Sequence, residues 1–218
     1  MNILSKFINV VINPVGAACN IQCSYCYIKT NDSVNAGRLR LGTIIKFVDT
    51  LNSIEDLEYV NFTWHGGEPF LYPIESYKAI FEYIDKNFSK KYCHVFQTNG
   101  TLITQETAEF IKKYGFGIGL SFDGPFNDQT RGKTDYTLNA YDLLKQIDKR
   151  HGTISVIGAH NIHNLIDIYK YFNEKNISFK FSPMFDSGEA KNHCELLLTD
   201  PAEYADKICE LFDYWMND

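Results

Sequence analysis

An α/β fold with six parallel strands, arranged as a partial, TIM-like (β/α)6 barrel, is what this sequence predicts. Three observations lead there. Short β-rich runs alternate with amphipathic helical stretches about six times along the chain, and that alternation implies parallel strands joined by right-handed crossovers. Most of the runs are rich in Val, Ile, Phe or Tyr, and several are bounded by Gly, Pro or Asn. The chain has 218 residues, short of the roughly 250 typical of a closed eight-stranded barrel. A doubly wound open sheet is the architectural alternative. Either arrangement places functional residues at the C-terminal ends of the strands.

The predicted strands are Phe7–Ile12, Tyr59–Trp64, His94–Gln97, Gly117–Phe122, Thr153–Ile157 and Ser178–Ser182. Between the first two, Thr43–Leu51 sets Ile44, Phe47, Val48 and Leu51 on one helical face. Glu75–Phe88 does the same with Tyr77, Ile80, Phe81 and Ile84. Thr104 is placed to cap a helix running to Lys113 and stopping at Gly115. Tyr136–Lys149 and Asn164–Glu174 continue the pattern. The last helix, Pro201 to about Met216, opens with Asp200 as cap, Pro201 at the first helical position and Glu203 as the partner of a capping box.

Composition is that of a globular protein with an aromatic-rich interior, carrying 16 Phe and 14 Tyr. A net charge of −6 argues against a nucleic-acid footprint. No apolar run is long enough to span a bilayer. Lys6 and the apolar stretch ending in Gly16-Ala17-Ala18-Cys19 faintly have the outline of a lipoprotein signal. Asn9, Asn13 and Pro14 interrupt that stretch, so Phe7–Ile12 is read as a buried strand instead. Three of the six cysteines are clustered and three are scattered. That asymmetry favours a metal site plus ordinary buried thiols in a reducing cytoplasm over a disulfide framework.

The cluster is Cys19-Asn-Ile-Gln-Cys23-Ser-Tyr25-Cys26, directly after the first strand. Thiolates are soft ligands suited to iron–sulfur clusters and zinc. Three of them on one loop can hold three corners of a cubane and leave the fourth iron open to a substrate or cofactor. A closed zinc site needs a fourth ligand, for which His65, Cys93 and Cys194 are the candidates, none at a zinc-finger offset. His65-Gly66-Gly67-Glu68-Pro69 follows the second strand, where two glycines permit either a tight turn or close approach of backbone to a ligand. Gln97-Thr98-Asn99-Gly100 follows the third strand and contains a turn signal. Ser121-Phe122-Asp123-Gly124-Pro125 follows the fourth, with Asn127, Asp128 and Arg131 shortly after. By itself Asp-Gly-Pro reads as a loop, and Arg131 as a surface ion pair with Asp128 or Asp135.

These motifs together resemble the radical S-adenosylmethionine (SAM) superfamily, whose Cys-x-x-x-Cys-x-aromatic-Cys signature is matched with Tyr25 in the aromatic slot. The resemblance covers essentially the whole chain. It implies a [4Fe-4S] cluster on Cys19, Cys23 and Cys26, with SAM chelating the unique iron through its amino and carboxylate groups. It further implies reductive cleavage of SAM to a 5′-deoxyadenosyl radical that abstracts hydrogen from a substrate. By the same resemblance Gly66, Gly67 and Glu68 belong to the element that binds the SAM amino group, with Glu68 either orienting the loop or touching the ammonium. Ser121 and Arg131 match SAM contacts, Arg131 offering a paired contact to the methionine carboxylate. Gln97 and Asn99 face the same pocket in a supporting role. Gly158-Ala159-His160-Asn161 is expected near the adenosine, and Pro183-Met184-Phe185 either packs on adenine or belongs to the core.

Within the superfamily the chain is most similar to peptide and protein maturases with a C-terminal SPASM-type extension, such as anaerobic sulfatase-maturating enzymes. This implies one core domain over residues 1–218: strands and cluster site to about 185, then a loop and helix leading toward an extension that is absent. The catalytic acid or base is not assignable from the sequence. Cys209 reads as a buried apolar residue, and Cys194 as a thiol near the substrate. The leading reading is a cytoplasmic maturase acting on a peptide or protein side chain, supplied with electrons by a flavodoxin or ferredoxin. A radical SAM enzyme with a small-molecule substrate and a non-enzymatic zinc or electron-transfer module are the alternatives.

Overall fold

The computed structural model describes residues 6–29, 37–148 and 151–218. Six strands form one sheet: β1 (Phe7–Ile12), β2 (Tyr59–Trp64), β3 (Lys91–Thr98), β4 (Gly117–Ser121), β5 (His151–Ile157) and β6 (Ser178–Pro183). They lie side by side in sequence order, and every neighbouring pair is parallel. The sheet curls into a half-barrel. Sequential order leaves no point at which strand order reverses, so the doubly wound alternative does not hold.

Helices α1 (Leu41–Asn52), α2 (Ile74–Asn87), α3 (Gln105–Tyr114), α4 (Asn127–Thr130), α5 (Thr134–Gln146), α6 (Leu165–Glu174), α7 (Cys194–Leu197) and α8 (Pro201–Met216) connect and follow the strands. The two-residue period of each strand sorts its side chains. In β2, Val60, Phe62 and Trp64 are buried in the main core, while Tyr59, Asn61 and Thr63 alternate with them on the other face. The core is aromatic: Trp64, Tyr77, Phe81, Phe96, Phe110 and Phe116 interlock, with Phe96 and Phe116 ring centroids 4.5 Å apart. Each such buried side chain contributes about 1.5–3 kcal/mol.

Capping follows the sequence in part. The Thr104 side chain accepts from the Thr107 amide, and Gly115 ends α3 in the left-handed region at φ 70°. Asp200 accepts from the amides of Ala202 and Glu203. Glu203 does not return the bond to complete a box; its carboxylate lies 3.3 Å from His163 Nε2.

Several expectations need correction. β1 is not a buried strand: only Ile12 is buried, and Phe7 and Val11 are 63% and 67% exposed. As an edge strand it has a neighbour on one side only. Phe47 is exposed at the margin of the α1 face. Cys209 is exposed rather than buried, because no residue of α8 is buried. β3 begins three residues before His94. α5 ends at Gln146, and Lys149, where that helix was expected to end, lies outside the described residues. No helix among the described residues is long and apolar enough to cross a membrane.

Candidate functional site

Because all strands are parallel, their C-terminal ends meet at one rim, and every motif of the sequence lies there. The loop after β1 carries the three thiols and is tied down from several sides. The Gly67 amide donates to the Gly16 carbonyl (2.9 Å), and the Glu68 amide to the Ala18 carbonyl (2.8 Å). The Ser24 amide donates to the Thr130 carbonyl (2.9 Å), and the Glu189 amide to the Cys26 carbonyl (2.9 Å). The loop is thus held by the segments following β2, β4 and β6.

The two glycines after β2 exist for proximity. Gly66 sits at φ +113°, and a Cβ there would fall 1.9 Å from Asn13 Oδ1. A Cβ on Gly67 would fall 1.9 Å from the Ala18 carbonyl oxygen. Only residues without side chains let the β2 turn lie against the thiol loop. Glu68 is wholly buried and does not line the cavity. Its carboxylate accepts from the Phe70 amide (3.0 Å), the Thr98 hydroxyl (2.8 Å) and the Asn99 amide (2.9 Å). It therefore latches the β2 turn to the end of β3. Burial holds its pKa above the ordinary glutamate value in spite of those three donors.

After β4, Asp123 forms a second buried hub that the sequence reading passed over as part of a loop. Its Oδ2 accepts from the Tyr25 hydroxyl (2.5 Å) and the Thr130 hydroxyl (3.0 Å), and its Oδ1 from the Val156 amide (2.8 Å). The Tyr25 oxygen in turn accepts from Arg131 Nη1 (2.9 Å). Arg131 is therefore turned inward, not paired at the surface with Asp128 or Asp135. Burial works against its charge, but Tyr25, Cys23 and Asp123 outweigh it and hold the guanidinium firmly protonated. Burial pushes the Tyr25 phenol well above its ordinary range, with Asp123 adding to the shift and Arg131 opposing it. The sequence signal for this contact is the acid of Ser-Phe-Asp-Gly, whose partner Tyr25 lies 98 positions away.

A cavity of about 500 Å³ opens at this rim, within the roughly 300–1,000 Å³ of small-molecule sites. Cys19, Cys23, Cys26, Tyr25, Gly66, Gly67, Gln97, Asn99, Ser121 and Arg131 all line it. So do Met184 and Phe185, whereas His160 and Asn161 do not. Gln97 Nε2 donates to Ser121 Oγ (2.8 Å), joining the ends of β3 and β4. Asn99 Nδ2 lies 3.7 Å from Cys19 Sγ and 3.0 Å from Asn20 Oδ1. Tyr27 and His65, both on the cavity wall, meet through Oη and Nε2 at 3.1 Å. Asn161 is structural: it accepts from the Gly158 amide and donates to the Val156 carbonyl.

The donor set suits an iron–sulfur cluster. Burial raises the Cys19 and Cys23 thiols, so binding here is coupled to loss of their protons. The three thiols face one cavity, yet among the described residues no three His, Cys, Asp or Glu side chains converge closely enough to hold a single metal ion. Cys93 is remote: its Sγ donates to Asn61 Oδ1 (3.1 Å), five residues before the rim end of β3. Cys194 is half-buried at the start of α7, where its Sγ contacts the Lys191 carbonyl (2.9 Å).

Comparison with known proteins gives the same picture. The signature of the Radical SAM superfamily matches residues 13–172. A serine-type anaerobic sulfatase-maturating enzyme of Bacteroides thetaiotaomicron is 29% identical over 247 residues, covering 98% of this chain and 58% of that protein. The solved structure of native anSMEcpe with bound AdoMet superposes with a TM-score of 0.85 at 26% identity, covering 96% of this chain and 60% of that one. The same protein with AdoMet and a Kp18Cys peptide also gives 0.85, at 27% identity over 97% of this chain and 61% of that one. The chain thus spans about three-fifths of the length of these relatives.

Proposed function

This chain belongs to the radical SAM superfamily, which uses a [4Fe-4S] cluster and AdoMet, and from that premise we propose that it is the core of an enzyme that abstracts hydrogen from a peptide or protein side chain. The observation that carries the reading is the single cavity onto which Cys19, Cys23, Cys26, Ser121 and Arg131 all open. When bound, the cluster and SAM supply a reductive cleavage that starts the hydrogen abstraction. Everything else is the work of this chain's own residues.

Cys19, Cys23 and Cys26 are assigned as the cluster ligands. Asn99, 3.7 Å from Cys19 Sγ, is placed to donate a hydrogen bond to that sulfur, a contact that tunes cluster potential. Gly66 and Gly67 bring bare backbone to the cavity for the SAM amino group, and the Glu68 latch orients that backbone. Arg131 offers remaining N–H donors to a carboxylate. Ser121, held by Gln97, presents a hydroxyl to the same cavity. Tyr25, Met184 and Phe185 line the same cavity and give it apolar surface.

A peptide substrate is favoured by the kinship with sulfatase-maturating enzymes and by the relative solved with a bound peptide. We assign residues 1–218 to one core domain, in which the segment after about 185 returns to the rim: the Glu189 amide donates to the Cys26 carbonyl (2.9 Å) and the Ala159 amide to the Leu197 carbonyl (2.8 Å). The reading includes a cytoplasmic setting and a flavodoxin- or ferredoxin-type electron donor. The test is anaerobic reconstitution with iron and sulfide, followed by SAM and a strong reductant. About four irons per chain and formation of 5′-deoxyadenosine are expected, both lost in Cys23→Ala. Zinc without acid-labile sulfide, or a stable cluster that never cleaves SAM, would overturn the proposal.

A further inference from the structure

We propose that Asp123 is a positioning residue for the cofactor-facing guanidinium of Arg131, and that it acts through Tyr25; this rests on the radical SAM reading above. Asp123 is wholly buried and touches no part of the cavity, so any effect it has on a bound cofactor passes through another side chain. The route is explicit. A phenol has one proton. By accepting the hydrogen bond that this proton makes (2.5 Å), the Asp123 carboxylate leaves the Tyr25 oxygen to act only as an acceptor toward Arg131 Nη1 (2.9 Å). Were the phenol free to rotate, its proton would compete with the guanidinium for the same direction.

The rest of the geometry removes the remaining freedom. The Arg131 guanidinium carbon lies 5.8 Å from the Tyr25 ring centroid, and the His160 ring is 6.4 Å away at an interplanar angle of 27°. The Thr130 hydroxyl and the Val156 amide fix the carboxylate itself. Two of these contacts are made by neighbours of the cavity: Thr130 precedes Arg131, and Val156 lines the wall from β5. One carboxylate therefore sets the thiol loop, the guanidinium and the β5 wall in a single register. One donor of Arg131 is spent on Tyr25, and the others keep a fixed direction for a ligand carboxylate.

The test uses the reconstituted protein and reads SAM affinity by equilibrium dialysis with radiolabelled SAM, alongside iron content and the electron paramagnetic resonance of the reduced cluster with and without SAM. Asp123→Asn keeps the shape and an acceptor for the Val156 amide but sets an N–H₂ against the phenol proton. We expect it to retain about four irons per chain and an unchanged resonance without SAM. SAM binding should weaken by about tenfold, the size expected for a hydrogen bond to a charged group, and the change in the resonance on adding SAM should be altered. In an Arg131→Ala background the same substitution should cost less than about twofold, because its route is gone.

Unchanged affinity in Asp123→Asn overturns the inference, and so does an equal loss in both backgrounds, which marks a general structural role. If Asp123→Asn does not hold iron, Tyr25→Phe cuts the same link with the carboxylate left in place, and it must show the same loss suppressed by Arg131→Ala. A wild-type protein that never binds SAM overturns the underlying reading instead.

Discussion

Gly67→Ala is a small change that sets a methyl group against backbone at this site. Its Cβ would sit 1.9 Å from the Ala18 carbonyl oxygen, where real Cβ atoms keep at least 3.0 Å, so the β2 turn and the thiol loop must part by about 1.1 Å. The listener to that movement is Cys19, the next residue after Ala18. Metal–ligand distances tolerate only about 0.2 Å, so a displacement of that size matters far more to a cluster than to the core. The parting also strains the Gly67–Gly16 and Glu68–Ala18 backbone hydrogen bonds, together about 2 kcal/mol if both are lost. At about 2–4 °C per kcal/mol for a chain of this length, the melting temperature should fall by about 4–8 °C. The assay is iron and acid-labile sulfide per chain after anaerobic reconstitution, with thermal unfolding by circular dichroism. We expect a folded protein holding less than half the wild-type iron. Wild-type iron content in a variant that also melts like wild type would refute the claim that this close contact sets the thiol loop.

Other expectations follow from the same coordinates. Burial pushes His94 down to about 4 from 6.5, leaving a neutral ring that accepts from Trp64 Nε1 (3.3 Å). A folded value below the unfolded one means its contribution is fully present above pH 6.5 and is lost as the pH falls toward 4, about 3 kcal/mol in all. Urea titrations across that window should show the loss in the wild type, and His94→Gln should remove that portion of the pH dependence; a parallel pH profile would contradict it. Phe96→Ala empties a wholly buried position between Phe70 and Phe116, for a cost of about 3–5 kcal/mol by chemical denaturation; a loss under about 1 kcal/mol would mean that core is loosely packed. Cys209, exposed on α8, should alkylate rapidly under native conditions while half-buried Cys93 reacts slowly. Equal rates, read by mass spectrometry, would remove the assigned exposure.

What could be read from the sequence, and what could not, divides along a physical line. Local patterns carry the strands and most helices, since a two-residue or 3.6-residue period is visible within a dozen residues. The thiol loop, Gly66-Gly67 and the Gln97, Ser121 and Arg131 positions were visible for a second reason: parallel strands place every post-strand segment at one rim, so topology turns sequence order into proximity. Burial is different, because it depends on what lies next door. β1 and α8 have apolar patterns like those of interior elements, yet β1 has a neighbour on one side and α8 buries none of its residues, so Phe7, Val11 and Cys209 face outward. Long-range polar contacts are the hardest to foresee. Glu68 and Asp123 both follow strands in glycine-containing motifs; the sequence leaves Glu68 between orienting its loop and touching an ammonium, and reads Asp123 as loop. Both carboxylates instead spend their oxygens on protein donors, Glu68 on residues 2 to 31 positions away and Asp123 on Tyr25, 98 positions away. A buried carboxylate must be satisfied or neutralised, and these two meet that requirement by stitching the loops around the cavity to one another. These two acids thus belong to the frame of the rim, and the polar groups that line the cavity include thiols, amides, hydroxyls, an imidazole and one guanidinium. That division suits an anionic carboxylate ligand, since among the described residues no Asp or Glu lines the cavity.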